Sequence, residues 1–198
     1  MNFLAHAHLS FRQPQILVGN MISDFVKGKL QYDYPAVIQQ GIRLHRAIDN
    51  FTDTHEVTTQ LKLFFRPQYR LYAGAFTDVV YDHFLANDRT EFLTDDDLET
   101  FAHSTYNVLE TNFDVLPQNF QTILPYMIKY DWLYNYKTRG GIEKSFAGLV
   151  RRSSFLTESA VAFDIFNEHY TTMNLLYHQF YPDIKKFAAH QMQQLLNG

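Results

Sequence analysis

Acidic and imidazole side chains recur one helical turn apart in this chain: His45 with Asp49, then Asp78 with Asp82. Asp24 has no such partner, but Asn20 stands one turn before it and Gly28 one turn after. Carboxylates and imidazoles at this spacing offer oxygen and nitrogen donors to a divalent cation, or an acid–base pair to a substrate. The 198 residues include no cysteine, which removes thiolate catalysis, cysteine-ligated zinc, iron–sulfur clusters and disulfide frameworks together. Nine histidines, set among many aspartates, are what remains for metal or acid–base chemistry.

The elements that must position these residues read as helices. Apolar residues recur mostly at helical spacing, β-branched alternation is scarce, and only six prolines and eight glycines punctuate the chain. Helices are expected over 14–30, 35–52, 54–65, 67–87, 94–115, 118–136, 141–150 and 158–195, the last broken at Pro182. Pro14, Pro35 and Pro67 lie near expected starts, where a missing N–H costs little. Thr94-Asp95-Asp96-Asp97 offers a cap and acids for a helix N-terminus. Hydrophobic residues at 46% and aromatics at 16% support one large core. With no repeat or linker, the expectation is one all-α domain, a helical bundle spanning residues 1–198. No apolar run is long enough to span a bilayer, and the N-terminus lacks the basic region of a signal peptide. A cytoplasmic protein without membrane contact is therefore expected, and a net charge of -4 argues against a general nucleic-acid binder.

Helical phase singles out the inward acids. In 35–52, His45 and Asp49 fall inside the arc set by Ile38, Ile42 and Ile48, while Arg43, Arg46 and Asn50 take the opposite side. In 67–87, apolar almost all round, Asp78 and Asp82 share a side with Leu71, Ala75 and Leu85, whereas His83 points about 100° away from Asp82. Asp24 shares a face with Leu17 and Met21, and Gly28 leaves room beside it. Paired buried carboxylates repel unless a cation or a shared proton intervenes, so a common metal site is expected from Asp24, His45, Asp49 and Asp78. His6 and His8 diverge on a helix and align on an extended segment, and Asp53 and His55 lie where capping competes with ligation.

The same stretches carry a likeness to a known family. They are Met1-Asn2-Phe3-Leu4-Ala5-His6-Ala7-His8-Leu9-Ser10, Gly19-Asn20-Met21-Ile22-Ser23-Asp24-Phe25-Val26-Lys27-Gly28, Gly41-Ile42-Arg43-Leu44-His45-Arg46-Ala47-Ile48-Asp49, Thr52-Asp53, and Asp78-Val79-Val80-Tyr81-Asp82-His83-Phe84-Leu85. Together they resemble the acyl carrier protein phosphodiesterase family, also called acyl carrier protein hydrolyases, nearly end to end. The resemblance implies hydrolysis of the phosphodiester joining 4′-phosphopantetheine to a serine of holo-acyl carrier protein. It also implies a bundle resembling the HD-domain architecture of metal phosphohydrolases, and a divalent cation, Mn²⁺ before Mg²⁺. The chain departs from the HD layout in having no inward His-Asp doublet; its only adjacent pair is Asp82-His83, in reverse order.

Within that resemblance Asp82 is the expected general base and His83 the expected acid for the leaving serine oxygen. His6, His8 and Asp53 are expected to support the ligands, and Arg43 and Arg46 to orient phosphate. Acyl carrier protein is strongly acidic, and the segment Lys137 to Arg152 offers Lys137, Arg139, Lys144, Arg151 and Arg152 against Glu143 as a docking surface. Tyr126, Tyr130, Trp132, Tyr134 and Tyr136 are candidates for the rim of a pantetheine channel. Two other classes stay open: a metal phosphoesterase acting on a nucleotide or lipid head group, and a non-catalytic helical adaptor whose inward acids pair with Arg or Tyr.

Overall fold

Helix formation follows the apolar spacing, and its exceptions occur where tertiary contacts overrule local signals. A computed structural model describes residues 1–197. Its α-helices are α1 (Phe3–His8), α2 (Pro14–Ile22), α3 (Ala36–Thr54), α4 (Glu56–Tyr69), α5 (Ala73–Ala86), α6 (Asp95–Thr111), α7 (Gln118–Lys129), α8 (Trp132–Asn135), α9 (Arg139–Arg152), α10 (Ala160–Glu168) and α11 (Tyr170–Asn197). No strand is present among the described residues. No helix among them is long and apolar enough to cross a membrane.

Pro14 opens α2 and Pro35 directly precedes α3, as the sequence expects. Thr94 forms a capping box: its Oγ1 accepts the Asp97 N–H at 3.2 Å while Asp97 Oδ2 accepts the Thr94 N–H at 2.8 Å. Pro67 and Pro182 depart from expectation. α4 runs through Pro67 to Tyr69, and α11 continues through Pro182 because Tyr177, Phe180, Tyr181, Ile184 and Ala188 are all buried on its inner face. The break expected at Pro182 falls instead at His169, between α10 and α11. The helix expected over 14–30 stops at Ile22 and passes into 3-10 turns, with Gly28 at φ 54°.

α5 is the centre of the bundle. From Val79 to Ala86 every residue is buried, and α1, α4, α9 and α11 pack around it. α2 and α3 cross on one flank at Gly19 and Gly41, where the two backbones touch. A Cβ on Gly19 would overlap the Ile38 carbonyl oxygen and lie 2.8 Å from Gly41 Cα. A Cβ on Gly41 would overlap the Ile16 carbonyl and lie 2.9 Å from Gly19 Cα. These neighbours are backbone atoms and cannot rotate away, so only glycine permits the crossing.

Gly41→Ala is therefore expected to destabilise the protein by about 3 kcal/mol or more, since overpacking against main chain has no side-chain escape. Chemical denaturation measures this; a loss under about 1 kcal/mol would show that the helices can separate without cost.

Candidate metal centre

The crossing of α2 and α3 sets Asn20 between two imidazoles. His6 Nδ1–H donates to Asn20 Oδ1 at 2.8 Å. The Asn20 amide donates in turn to the His6 carbonyl at 2.9 Å and to Ser10 Oγ at 3.0 Å, which fixes its orientation. The main-chain carbonyl of the same Asn20 accepts from His45 Nδ1–H at 2.7 Å. One residue thus holds both rings by their Nδ1–H and leaves both Nε2 atoms facing one space. The rings stack with centroids 3.9 Å apart.

Asp49, one turn after His45 on α3, completes the group. Its Oδ2 lies 3.0 Å from His45 Nε2 and its Oδ1 3.1 Å from His6 Nε2. The donor atoms of His6, His45 and Asp49 all lie within 4.8 Å of one another, so these three residues can hold a metal ion. His6 Nε2 supports that fit. It is buried and, although close to Asp49, it has no hydrogen-bond partner. A stranded polar nitrogen costs free energy that a cation in line with its lone pair recovers.

Electrostatics select one cation for this space. Burial lowers the His6 pKa to about 4, with the nearby His45 charge adding to the effect. Burial acts on His45 in the same sense but is outweighed by Asp24 and Asp49, which lift it to about 9. Burial alone would raise Asp49, yet its hydrogen bond with His45 and its closeness to His6 and the Met1 ammonium hold it well below the ordinary carboxylate range. The carboxylates accordingly favour a positive charge at the His45 side, be it a proton or a metal.

Asp24 joins from the 3-10 turn after α2 rather than from a helix face. Its Oδ1 is 3.2 Å from His45 Nε2, and its side chain is 74% exposed, so it stands at the mouth of the group. Asp78 lies one step away: its Oδ1 is 3.0 Å from the Met1 amino nitrogen, which lies 3.4 Å from Asp49 Oδ1. The buried Met1 ammonium rises to about 10; desolvation opposes its charge, and Asp78 and Asp49 prevail.

Asp82 and His83, expected as general base and acid, both stand outside the group of His6, His45 and Asp49. Asp82 Oδ2 accepts the Leu4 N–H at 2.7 Å, and its Oδ1 accepts those of Asn2 and Ala5 at 3.2 and 3.3 Å. It closes the N-terminus of α1 and so positions His6; burial pushes its carboxyl up to about 7 against those three donors. The two acids of α5 are thus both met by the N-terminal segment. His83 Nδ1–H donates to the Tyr136 carbonyl at 2.7 Å, and its Nε2 accepts from the Tyr170 hydroxyl at 3.0 Å. Burial lowers it to about 4, and its ring packs edge-on against Phe166.

The remaining expected residues scatter. His8 turns away to Tyr181 and Glu91, and Asp53 pairs with Lys62 at 2.7 Å. Arg43 is exposed, while Arg46 donates to Gln31 and to the Val26 carbonyl, pinning the segment after Asp24. Lys137 pairs with Asp95, and Arg139 bonds Asn167 and lies over Tyr170, so only Lys144, Arg151 and Arg152 of the basic segment lack ion pairs or side-chain bonds among the described residues. The aromatic run divides: Tyr136 is buried, Trp132 packs against Phe3, Tyr134 is half-buried and accepts from Lys137 Nζ, and Tyr126 and Tyr130 face solvent.

The family model described as acyl carrier protein phosphodiesterase matches residues 1–184. The chain belongs to the acyl carrier protein phosphodiesterase family. It is 33% identical over 191 residues to the acyl carrier protein phosphodiesterase of Photorhabdus laumondii, covering 96% of each chain. It is 32% identical to that of Pectobacterium atrosepticum and 31% identical to that of Yersinia pestis, covering 96% of this chain and 99% of the relative in each case. No solved structure matches it. In this member of the phosphodiesterase family the stretches that carried the resemblance are the ones that meet in space: α1 with His6, α2 with Asn20, α3 with His45 and Asp49, and α5 with Asp78 and Asp82.

Sequence reasoning gave no role to Asn20 and only a supporting one to His6. The available signal was an asparagine inside the apolar stretch Ile16–Ile22, directly after the glycine of the crossing. Asn20→Ala is expected to weaken Mn²⁺ binding by about 10–100-fold while leaving the helical spectrum intact, because outer partners of ligating histidines carry that much affinity. Titration calorimetry measures it; unchanged affinity would mean that Asn20 does not orient the rings.

A second expectation concerns pH. His45 rises from 6.5 to about 9 on folding, so its protonation stabilises the metal-free protein fully below pH 6.5 and ceases to do so as pH rises through about 9. The melting temperature of metal-free protein should fall across that window, by roughly 1.4 kcal/mol of stability per pKa unit. With Mn²⁺ in place of the proton the fall should be smaller. Parallel curves with and without Mn²⁺ would place the cation elsewhere.

Proposed function

We propose that this chain hydrolyses the phosphodiester between 4′-phosphopantetheine and a serine of holo-acyl carrier protein, releasing the apo-protein, with a divalent cation held by His6, His45 and Asp49. The observation that carries the reading is the convergence of two Nδ1-anchored imidazoles on one carboxylate, in a chain of this family. Two nitrogens and one or more carboxylate oxygens suit Mn²⁺ better than Mg²⁺, which prefers oxygen donors alone. The partner is the acidic carrier protein, and the reading places both in the cytoplasm.

When bound, such a cation supplies Lewis acidity at the phosphoryl oxygens and a water acidic enough to attack at neutral pH. The chain's own residues prepare for it. Asn20 holds both imidazoles by Nδ1 with their Nε2 atoms turned to the shared space, and Asp82 holds the start of α1 so that His6 stays in line. Asp24 is the acid open to solvent; the hydrogen bond from His45 outweighs its partial burial and lowers its pKa, which suits an ionised ligand better than a proton acceptor. In the balance of the reaction a water oxygen joins phosphorus, the phosphorus–oxygen bond to serine breaks, and the serine oxygen leaves with a proton.

His45→Ala or Asp49→Asn should reduce release of phosphopantetheine from holo-acyl carrier protein by about 10³-fold or more, and chelation followed by Mn²⁺ should abolish and restore it. Mass spectrometry of the carrier gives the readout. A wild-type enzyme that cleaves generic diesters but leaves holo-carrier intact would point to another phosphoesterase substrate. Full activity in His45→Ala would remove the proposed centre.

A further inference from the structure

α4, the turn after it and the start of α5 enclose a cleft of roughly 530 Å³, whose walls include Asp53, Lys62, Arg66, Arg70, Leu71 and Asp78. Asp78 connects it to the metal centre, because the same Met1 nitrogen lies 3.0 Å from Asp78 and 3.4 Å from Asp49. Lys62 is already matched by Asp53 at 2.7 Å, and its stem runs over Gly74, where an added Cβ would lie 3.4 Å from Lys62 Cε. Arg66 and Arg70 are different. Both are exposed and, among the described residues, neither has an ion pair or a side-chain hydrogen bond.

The turn that presents them is not what folding stability alone would choose. Arg70 has φ 48° and ψ -115°, in a region that residues with a Cβ seldom adopt. Leu71 follows it with 98% of its surface exposed. Strained backbone persists where a binding task holds it, and a fully exposed leucine directly after a free arginine has the make-up of an interface centre. Asp53 and Asp78 on the walls would repel a continuous phosphate backbone, so the charge pattern fits separate carboxylates on a protein surface better than a nucleic acid.

We propose that this cleft is the docking surface for the acidic carrier protein. Arg66 and Arg70 receive its carboxylates and Leu71 packs between its apolar side chains, which sets the carrier beside Asp78. This rests on the function proposed above. It also differs from docking on Arg151 and Arg152, which close α9, a helix that carries none of the centre's residues.

Binding without turnover tests the proposal. Fluorescence anisotropy of labelled holo- and apo-acyl carrier protein is measured in chelator with the full-length wild type, Arg66→Glu/Arg70→Glu, Leu71→Ser and Arg151→Glu/Arg152→Glu. The first double variant should raise Kd by about tenfold or more and flatten its salt dependence, and Leu71→Ser should weaken binding by about threefold or more. Leu71 touches almost nothing else in the protein, so its variant cannot fail merely by unfolding. Unchanged affinity in both, or loss only in Arg151→Glu/Arg152→Glu, overturns the cleft as docking site. Hydrolysis assayed in parallel keeps the two ideas apart: a wild type that binds through the cleft without cleaving overturns the function, not the docking. One that cleaves but binds indifferently to these variants overturns the docking alone, and one that neither binds nor cleaves overturns both.

Discussion

Two glycines facing each other across a helix crossing are the constraint on which the centre depends. Gly19 and Gly41 bring the backbones of α2 and α3 into contact, and Asn20, next in sequence, then lies against His45 and His6 together. Its carbonyl reaches one ring and its side chain the other. Were the helices separated by even one methyl group, the carbonyl of Asn20 would leave His45 Nδ1, and the ring would lose the partner that sets its tautomer. A packing requirement in the core is thus converted into the orientation of two nitrogen lone pairs.

Charge completes what packing begins. Asp24, Asp49 and Asp78 crowd one region against two imidazoles and the Met1 amine. His6, pressed by burial and by its neighbour, stays neutral, whereas His45 takes a proton in the absence of a metal. The group is therefore poised around one positive charge that a proton supplies incompletely, since it leaves His6 Nε2 without a partner. A divalent cation satisfies both nitrogens and the carboxylate at once. Asp82 serves the same arrangement from outside, as the cap that fixes the helix bearing His6.

The all-α class, most helices and the shared face of His45 and Asp49 were legible because helical phase is local, and the hydrophobic arc of α3 is strongly biased. Two failures share a cause: helical phase was extended beyond the helix that carried it. Asp24 reaches the centre from a 3-10 turn, and Leu71 lies outside α5, beyond the unusual backbone of Arg70. Asp82 was read as chemistry because it is buried and acidic, but the N–H groups that satisfy it come from residues about eighty positions away and leave no mark in its own segment. His6 could be placed only once α1 was known to be helical, which sends His8 toward α11 and His6 toward α3.

The most direct test of this account is anomalous diffraction from crystals grown with Mn²⁺. The account requires a manganese peak within bonding distance of His6 Nε2, His45 Nε2 and an Asp49 oxygen, with Asp24 on its solvent side and Asn20 bonded to both rings. A peak lodged between Asp78 and Asp82, or none among the histidines under conditions that support activity, would contradict it.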